Sequence, residues 1–258
     1  MSHQSCRTSL APLSNDRYAA CVPMIWDHLL LLLLALALPI RAYVGMRALR
    51  AAPLEALPRL RPQYHARGIA AQWTLTLLVA ALWSFQHRPL AALLLLPRIT
   101  PGLIGVLAGT LGIVIAVLRQ MRGLETDRAL VDRIADRLEP AGRLLPGTAC
   151  EWPLFAAFAV TAGICEELLF RGFVQWVLAQ YVGLWPAAAL QVALFGLAHA
   201  YQGVPGILRT GFVGAFLTVV VILSGSLYPA MLLHALMDLQ AGRLALRLRQ
   251  LGRPLDAA

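Results

Sequence analysis

No lysine occurs anywhere in the 258-residue chain, and all 22 basic residues are arginines. A serine–lysine dyad and a Schiff-base lysine are therefore both excluded as catalytic devices. Charge of any kind is scarce, at 14% of residues against 59% hydrophobic, which is not the balance of a water-soluble fold of this length. The four cysteines, Cys6, Cys21, Cys150 and Cys165, show no C-x-x-C spacing. They read as isolated thiols or small apolar fillers rather than a zinc site or a disulfide framework. Strands alternating apolar and polar residues are missing, which argues against an outer-membrane barrel. Also missing are H-E-x-x-H and G-x-S-x-G, and Ser224-Gly225-Ser226 reads as a loop between helices. A paired-aspartate mechanism lacks a second intramembrane aspartate, because Asp27 lies at the edge of the first apolar run.

What the chain has instead is long apolar runs, and these predict an all-α, polytopic transmembrane helical bundle. The first run spans Met24 to Ile40 and the next spans are approximately Gly68 to Phe85 and Gly102 to Leu118. Between the last two, Leu90 to Leu96 is too short to cross and reads as an interfacial or re-entrant piece. Gly102, Gly105, Gly109 and Gly112 put small residues at three- and four-residue intervals, which predicts close helix packing there. A polar stretch from Arg119 to Thr148 holds an amphipathic helix over Asp127 to Leu138, and four further helices follow at Trp152 to Phe170, Trp185 to Ala198, Ile207 to Leu223 and Leu227 to Leu239. The pattern gives about seven crossings. A polar N-terminal segment (1–23), one membrane domain (24–240) and a basic C-terminal tail (241–258) are the expected divisions.

The formal charge of +9 would suggest nucleic acid in a soluble protein, but here the arginines flank hydrophobic segments and set orientation instead. Arg41, Arg47, Arg50, Arg59, Arg61 and Arg67 face the single acid Glu55 between the first two runs, which reads as a cytoplasmic loop. The N-terminus is then expected outside and the tail, with Arg243, Arg247, Arg249 and Arg253, in the cytoplasm. The lysine-free, arginine- and alanine-rich composition is that of a GC-rich bacterial genome, and so of a bacterial inner membrane.

Ionisable side chains inside such helices cost about 3 kcal/mol each on insertion, so each is a candidate functional residue. Three patterns collect them: Glu166-Glu167 followed by Arg171, Phe195 followed by His199, and His234 followed by Asp238. Adjacent helical residues diverge by about 100°, so Glu166 and Glu167 take different jobs. Glu167 and Arg171, acid first and four apart, suit an ion pair on one face. Glu166 has no local partner and needs a proton or a histidine from another helix. His234 and Asp238 share a face and can address one water, oxyanion or metal ion, while Phe195 can shield His199 from solvent.

This ordered trio resembles the CPBP intramembrane proteases, also known as the CAAX-protease and bacteriocin-processing or Abi family, over residues 151–240. The resemblance implies an intramembrane endopeptidase of the glutamic type, acting on a membrane-associated peptide or protein in the lipid bilayer. It implies Glu166 as general base assisted by His199, and His234 with Asp238 at the carbonyl and its oxyanion, supported by Glu167, Arg171 and Phe195. Asp238 stands where many relatives carry asparagine; it is protonated, or orients His234, or helps bind a metal. No cofactor is the preferred reading, with zinc as the alternative. A catalytically silent relative serving as an immunity or scaffold protein, or a proton-coupled transporter, uses the same residue types, although the first half lacks the repeat a transporter needs.

Overall fold

The computed structural model describes residues 22–123, 128–253 and 255. Most of the polar segment expected at 1–23, with Cys6 and Cys21, lies outside them. Every regular element among the described residues is helical. Helix α1 (Ile25–Ala51) starts where the Asp27 carboxylate accepts the Met24 N–H at 2.6 Å, a negative charge at the positive end of the helix. It runs past Ile40, and α2 (Leu57–Phe85) begins far ahead of Gly68. The arginine-rich segment expected as a loop is thus two helix ends joined at Pro53 and a single 3-10 turn, Leu54–Ala56. Alanine, leucine and arginine are all good helix formers, so only the proline interrupts them.

After α2 the short apolar piece forms a 3-10 turn, Leu90–Leu93. Its middle, Ala92 to Leu94, is buried against protein while Leu90 and Leu96 stay exposed: Leu94 takes φ +58° and accepts the Leu227 N–H at 3.2 Å, and Tyr228 Oη donates to the Leu95 carbonyl at 3.0 Å. Helix α3 (Pro101–Gly123) corrects a second expectation. Only Gly102 packs, against the Leu223 backbone, whereas a side chain at Gly105, Gly109 or Gly112 would meet nothing within 4 Å. Those glycines point away from the neighbours that α3 contacts, α8 and α9. Helix α4 (Arg128–Leu138) lays Val131, Ile134 and Ala135 against Leu244 and Leu248, the one-face spacing of an amphipathic helix.

The second half is built on one rod in which α5 (Trp152–Glu167) passes through a π-helical stretch, Leu168–Val174, into α6 (Gln175–Val182). Gly183 turns the chain at φ +79° into α7 (Leu184–Ala198), followed by α8 (Gly203–Ser224) and α9 (Tyr228–Gln250). Gly225, between Ser224 and Ser226, closes α8 in the left-handed conformation, as expected of a loop there. Helix α9 runs on beyond Leu239, so Arg243, Arg247 and Arg249 of the expected tail lie on its last turns, with Arg249 donating to the Pro146 and Gly142 carbonyls.

Helix α5 lies centrally, packed on α9 and α2, while α7 sits between α6 and α8. Glycines set the α5–α9 approach. A Cβ on Gly163 would stand 2.7 Å from the Ala235 nitrogen and 2.9 Å from the Met231 carbonyl oxygen, and one on Gly242 would strike the Phe155 ring. One end of the bundle joins Asp27 to Arg88, His28 to Tyr181 and Leu94 to Leu227. The other joins Arg143 to the Leu49, Arg50 and Ala52 carbonyls and Arg209 to the Arg137 carbonyl.

Leu29, Leu32, Leu36, Ile104, Leu107, Leu111, Leu190 and Phe212 face outward. Five helical stretches are long and apolar enough to cross a membrane, α7 is shorter at 15 residues, and α9 is not among the five. The chain is a polytopic helical membrane bundle, with five candidate crossings by length and composition among the described residues and the shorter apolar α7 beside them.

Two substitutions probe this packing. Gly163→Val has backbone in its way, so it should destabilise the bundle by about 1–3 kcal/mol, read as a lower unfolding temperature in detergent. The fully buried Asp27 carboxylate meets Arg88 at 2.7 and 2.8 Å, and Arg88 lies over Trp176 at 4.4 Å and Trp83 at 5.1 Å. Arg88→Ala should cost about 3–5 kcal/mol, whereas the double change Asp27→Leu with Arg88→Met should recover most of it in the same assay.

Candidate active site

The last turn of α5 presents its two adjacent glutamates to different surroundings, as the helical twist requires. Glu167 is fully buried. Its Oε1 accepts from Arg171 Nη1 at 2.9 Å, the expected i,i+4 pair, and from His234 Nδ1 at 2.8 Å. Arg171, also fully buried, donates from Nη2 to the Gly214 carbonyl of α8 at 3.1 Å and lies 4.0 Å over the Phe195 ring. Gly214 is required for that approach, since a Cβ there would stand 3.1 Å from Arg171 Nη2 and 2.9 Å from Phe195. The π-helical stretch begins one residue after Glu167, and such wide turns recur at functional sites.

Glu166 faces the other way, into a cavity of about 360 Å³ lined from α1, α2, α4, α5, α7, α8 and α9. Its Oε1 accepts a 2.9 Å hydrogen bond from Gln72 Nε2 on α2, and its Oε2 stands 4.0 Å from His234 Nε2. The partner for Glu166 is thus an amide first and a histidine second. Gln72 has no counterpart in the sequence expectation, and its one signal is a lone amide inside the apolar run of α2. It is 5% exposed, and a buried amide in such a run calls for a partner.

The two histidines are oriented alike. His234 Nδ1 is tied to Glu167, and His199 Nδ1 is tied to the Phe195 carbonyl at 2.9 Å. A carbonyl only accepts, so His199 carries its proton on Nδ1, and both rings leave Nε2 for the cavity. His199 ends α7 as its C-terminal cap rather than lying within the helix. Phe195 packs between the rings, with centroids 5.0 Å from His199 and 6.1 Å from His234. Asp238 Oδ2 lies 3.8 Å from His234 Nε2, beyond hydrogen-bond distance. Glu167, not Asp238, fixes the orientation of the His234 ring.

Glu166, Phe195, His199, His234 and Asp238 all line one cavity, and Glu167 and Arg171, both fully buried, lie behind it. Tyr64, Tyr201 and Arg41 complete its wall toward the arginine-rich end. No three histidine, cysteine or carboxylate side chains are grouped as metal ligands among the described residues. The free thiols do not contribute: Cys150 is exposed and Cys165 is buried outside the cavity lining.

Residues 148–240 match the model of a family described as type II CAAX prenyl endopeptidase Rce1-like. Neither the curated proteins nor the solved structures return a match to the chain. The family match takes in both glutamates, both histidines, Arg171 and Asp238, and leaves Gln72, Tyr64 and Arg41 of α1 and α2 outside it. Over residues 148–240, with their buried carboxylates and paired imidazoles, the chain is similar to the Rce1-like type II CAAX prenyl endopeptidases.

Proposed function

We propose that this protein is a metal-independent intramembrane endopeptidase of the CAAX type, which cleaves a membrane-anchored peptide or protein near its C-terminus by glutamate-activated water. The observation that carries the reading is the 4.0 Å gap between Glu166 Oε2 and His234 Nε2, with Gln72 holding the far oxygen of the same carboxylate. A water or a carbonyl oxygen in that gap can touch both groups. Glu166, assisted by the Nε2 lone pair of His199, takes a proton from water, the hydroxyl adds to the scissile carbonyl carbon, and the oxyanion lies toward Nε2 of His234. In its imidazolium form His234 donates from Nε2, with Glu167 and Asp238 on either side to balance the charge. Collapse of the tetrahedral intermediate breaks the C–N bond, and the proton held by Glu166 passes to the leaving amine.

Arginines support an orientation. Arg41, Arg137 and Arg209 line the cavity, Arg61, Arg143 and Arg249 cap backbone carbonyls at the same end of the bundle, and the positive-inside bias makes that end cytoplasmic. In a bacterial inner membrane the start of α1 is then outside and the end of α9 inside. Substrate enters from the cytoplasmic leaflet.

Glu166→Gln keeps the shape and removes the base, so cleavage of prenylated peptides in proteoliposomes should fall by about 10²–10⁴-fold without loss of the folded protein. Glu167→Gln should lose activity comparably and stability as well, because Arg171 is left without its counter-charge. Asp238→Asn should stay within about tenfold of the wild type, and a chelator should leave the rate unchanged. Wild-type cleavage by Glu166→Gln, or loss of activity on chelation, would overturn the mechanism.

A further inference from the structure

Two glutamines of the second half take no part in the chemistry above. Gln175 on α6 and Gln191 on α7 are both fully buried, and neither lines the catalytic cavity. Neither the amide oxygen nor the amide nitrogen of Gln175 has a hydrogen-bond partner among the described residues, and Gln191 Nε2 and Arg171 Nε are likewise unpaired. A polar atom buried without a partner is costly, and most of all in a membrane interior, so a group of them marks a place where a ligand sits.

The fold brings these atoms to one level. The α5–α6 rod and α7 form a helical hairpin about Gly183, and Arg171, twelve residues before that turn, lies 4.0 Å over the ring of Phe195, twelve residues after it. Gln175 and Gln191 stand eight residues either side of the same glycine. Each is one helical turn nearer Gly183 than the member of the contacting pair on its own helix, so each shares that member's face and the two glutamines meet across the hairpin. A second route ties Gln191 to Arg171 through α8. Thr218 Oγ1 stands 3.1 Å from Gln191 Oε1 and 2.8 Å from the Gly214 carbonyl oxygen, which also accepts Arg171 Nη2 at 3.1 Å. Whichever way round the Gln191 amide sits on Thr218, one of its two polar atoms is left over.

The unpaired atoms are of both kinds. Arg171 Nε and Gln175 Nε2 only donate, whereas Gln175 Oε1 only accepts. A cation would face the donors and an anion would face the acceptor, so the ligand that serves all of them is one that donates and accepts. We propose that Gln175, Gln191 and Arg171 Nε form a binding site for buried water, which extends the Glu167–Arg171 junction into α7. A buried water takes about two to four polar partners, and these three side chains supply them. With water on Nε, every nitrogen of the Arg171 guanidinium is engaged, since Nη1 donates to Glu167 and Nη2 to Gly214. The site lies outside the catalytic cavity and is independent of the reaction carried out there.

The full-length protein, crystallised from a lipid mesophase at a resolution that shows ordered water, tests this directly. Water density should lie within hydrogen-bond distance of Gln175 and of Gln191 or Arg171 Nε. A site without density, or one in which the two amides bond each other directly, overturns the inference. The unfolding temperature in detergent gives a second reading that needs no crystal. An amide buried without a ligand is relieved by an apolar residue of similar size, so a dry site predicts that Gln175→Leu raises the unfolding temperature. A hydrated site predicts a fall of about 2–6 °C, from the loss of a water ligand. Gln191→Leu should also lower it, and the double variant should fall by less than the two shifts together, because both changes act on one shared water. A rise or no change with Gln175→Leu, or shifts that simply add, overturns the site.

Discussion

The site hangs on one buried carboxylate that is not the one facing the cavity. Glu167 Oε1 takes hydrogen bonds from Arg171 at 2.9 Å and His234 at 2.8 Å, and Arg171 carries the connection on to the α8 backbone at Gly214. An isolated charge in this apolar interior would be prohibitively expensive, so Glu167 is tolerable only with Arg171 beside it. That compensation links the α5–α6 rod, α8 and α9 in one polar junction. The junction also fixes the His234 ring, because Nδ1 engaged with Glu167 leaves Nε2 directed at Glu166 and Asp238.

Such a junction needs the backbones close. Gly163, one turn before Glu167, has the Ala235 backbone nitrogen where its side chain would be, and Ala235 is the neighbour of His234. Gly214 does the same for α8 beneath Phe195 and Arg171. Small residues in a membrane bundle are commonly read as devices for affinity between helices. Here their effect is local: they let long polar side chains meet at 2.8–3.1 Å in a place where unpaired ones could not persist.

What the sequence makes legible follows from periodicity. Four-residue spacings put Glu167 with Arg171 and Phe195 with His199 on shared faces, and these contacts exist at 2.9 Å and a 5.0 Å centroid distance. The divergence of Glu166 from Glu167 follows from the 100° helical step. Partnerships between distant segments are not legible this way. Nothing local joins Gln72 to Glu166, ninety-four positions on, or gives Glu167 a second partner in His234. The same limit explains the glycines of α3: their spacing advertises a packing face, yet only Gly102 has a neighbour, because spacing carries no information about which helix lies opposite. Helix ends fail for another reason. Arginine marks membrane boundaries by charge but does not break a helix, so the runs of charge around Arg41–Arg67 and after Leu239 hide continuous helix.

The two halves of the chain therefore contribute different kinds of constraint. Residues 148–240 contain the carboxylates and imidazoles and hold them by contacts among themselves, so this segment can carry a recognisable family pattern alone. Helices α1 and α2 touch the same cavity with an amide on Glu166 and the Arg41 guanidinium in the wall. An amide on the far oxygen of Glu166 fixes which of its lone pairs faces the cavity, and a guanidinium in the wall adds positive charge there. Neither role demands one residue type at one spacing on one helix. The family match covers the segment that holds the carboxylates and imidazoles and begins at residue 148, just ahead of α5.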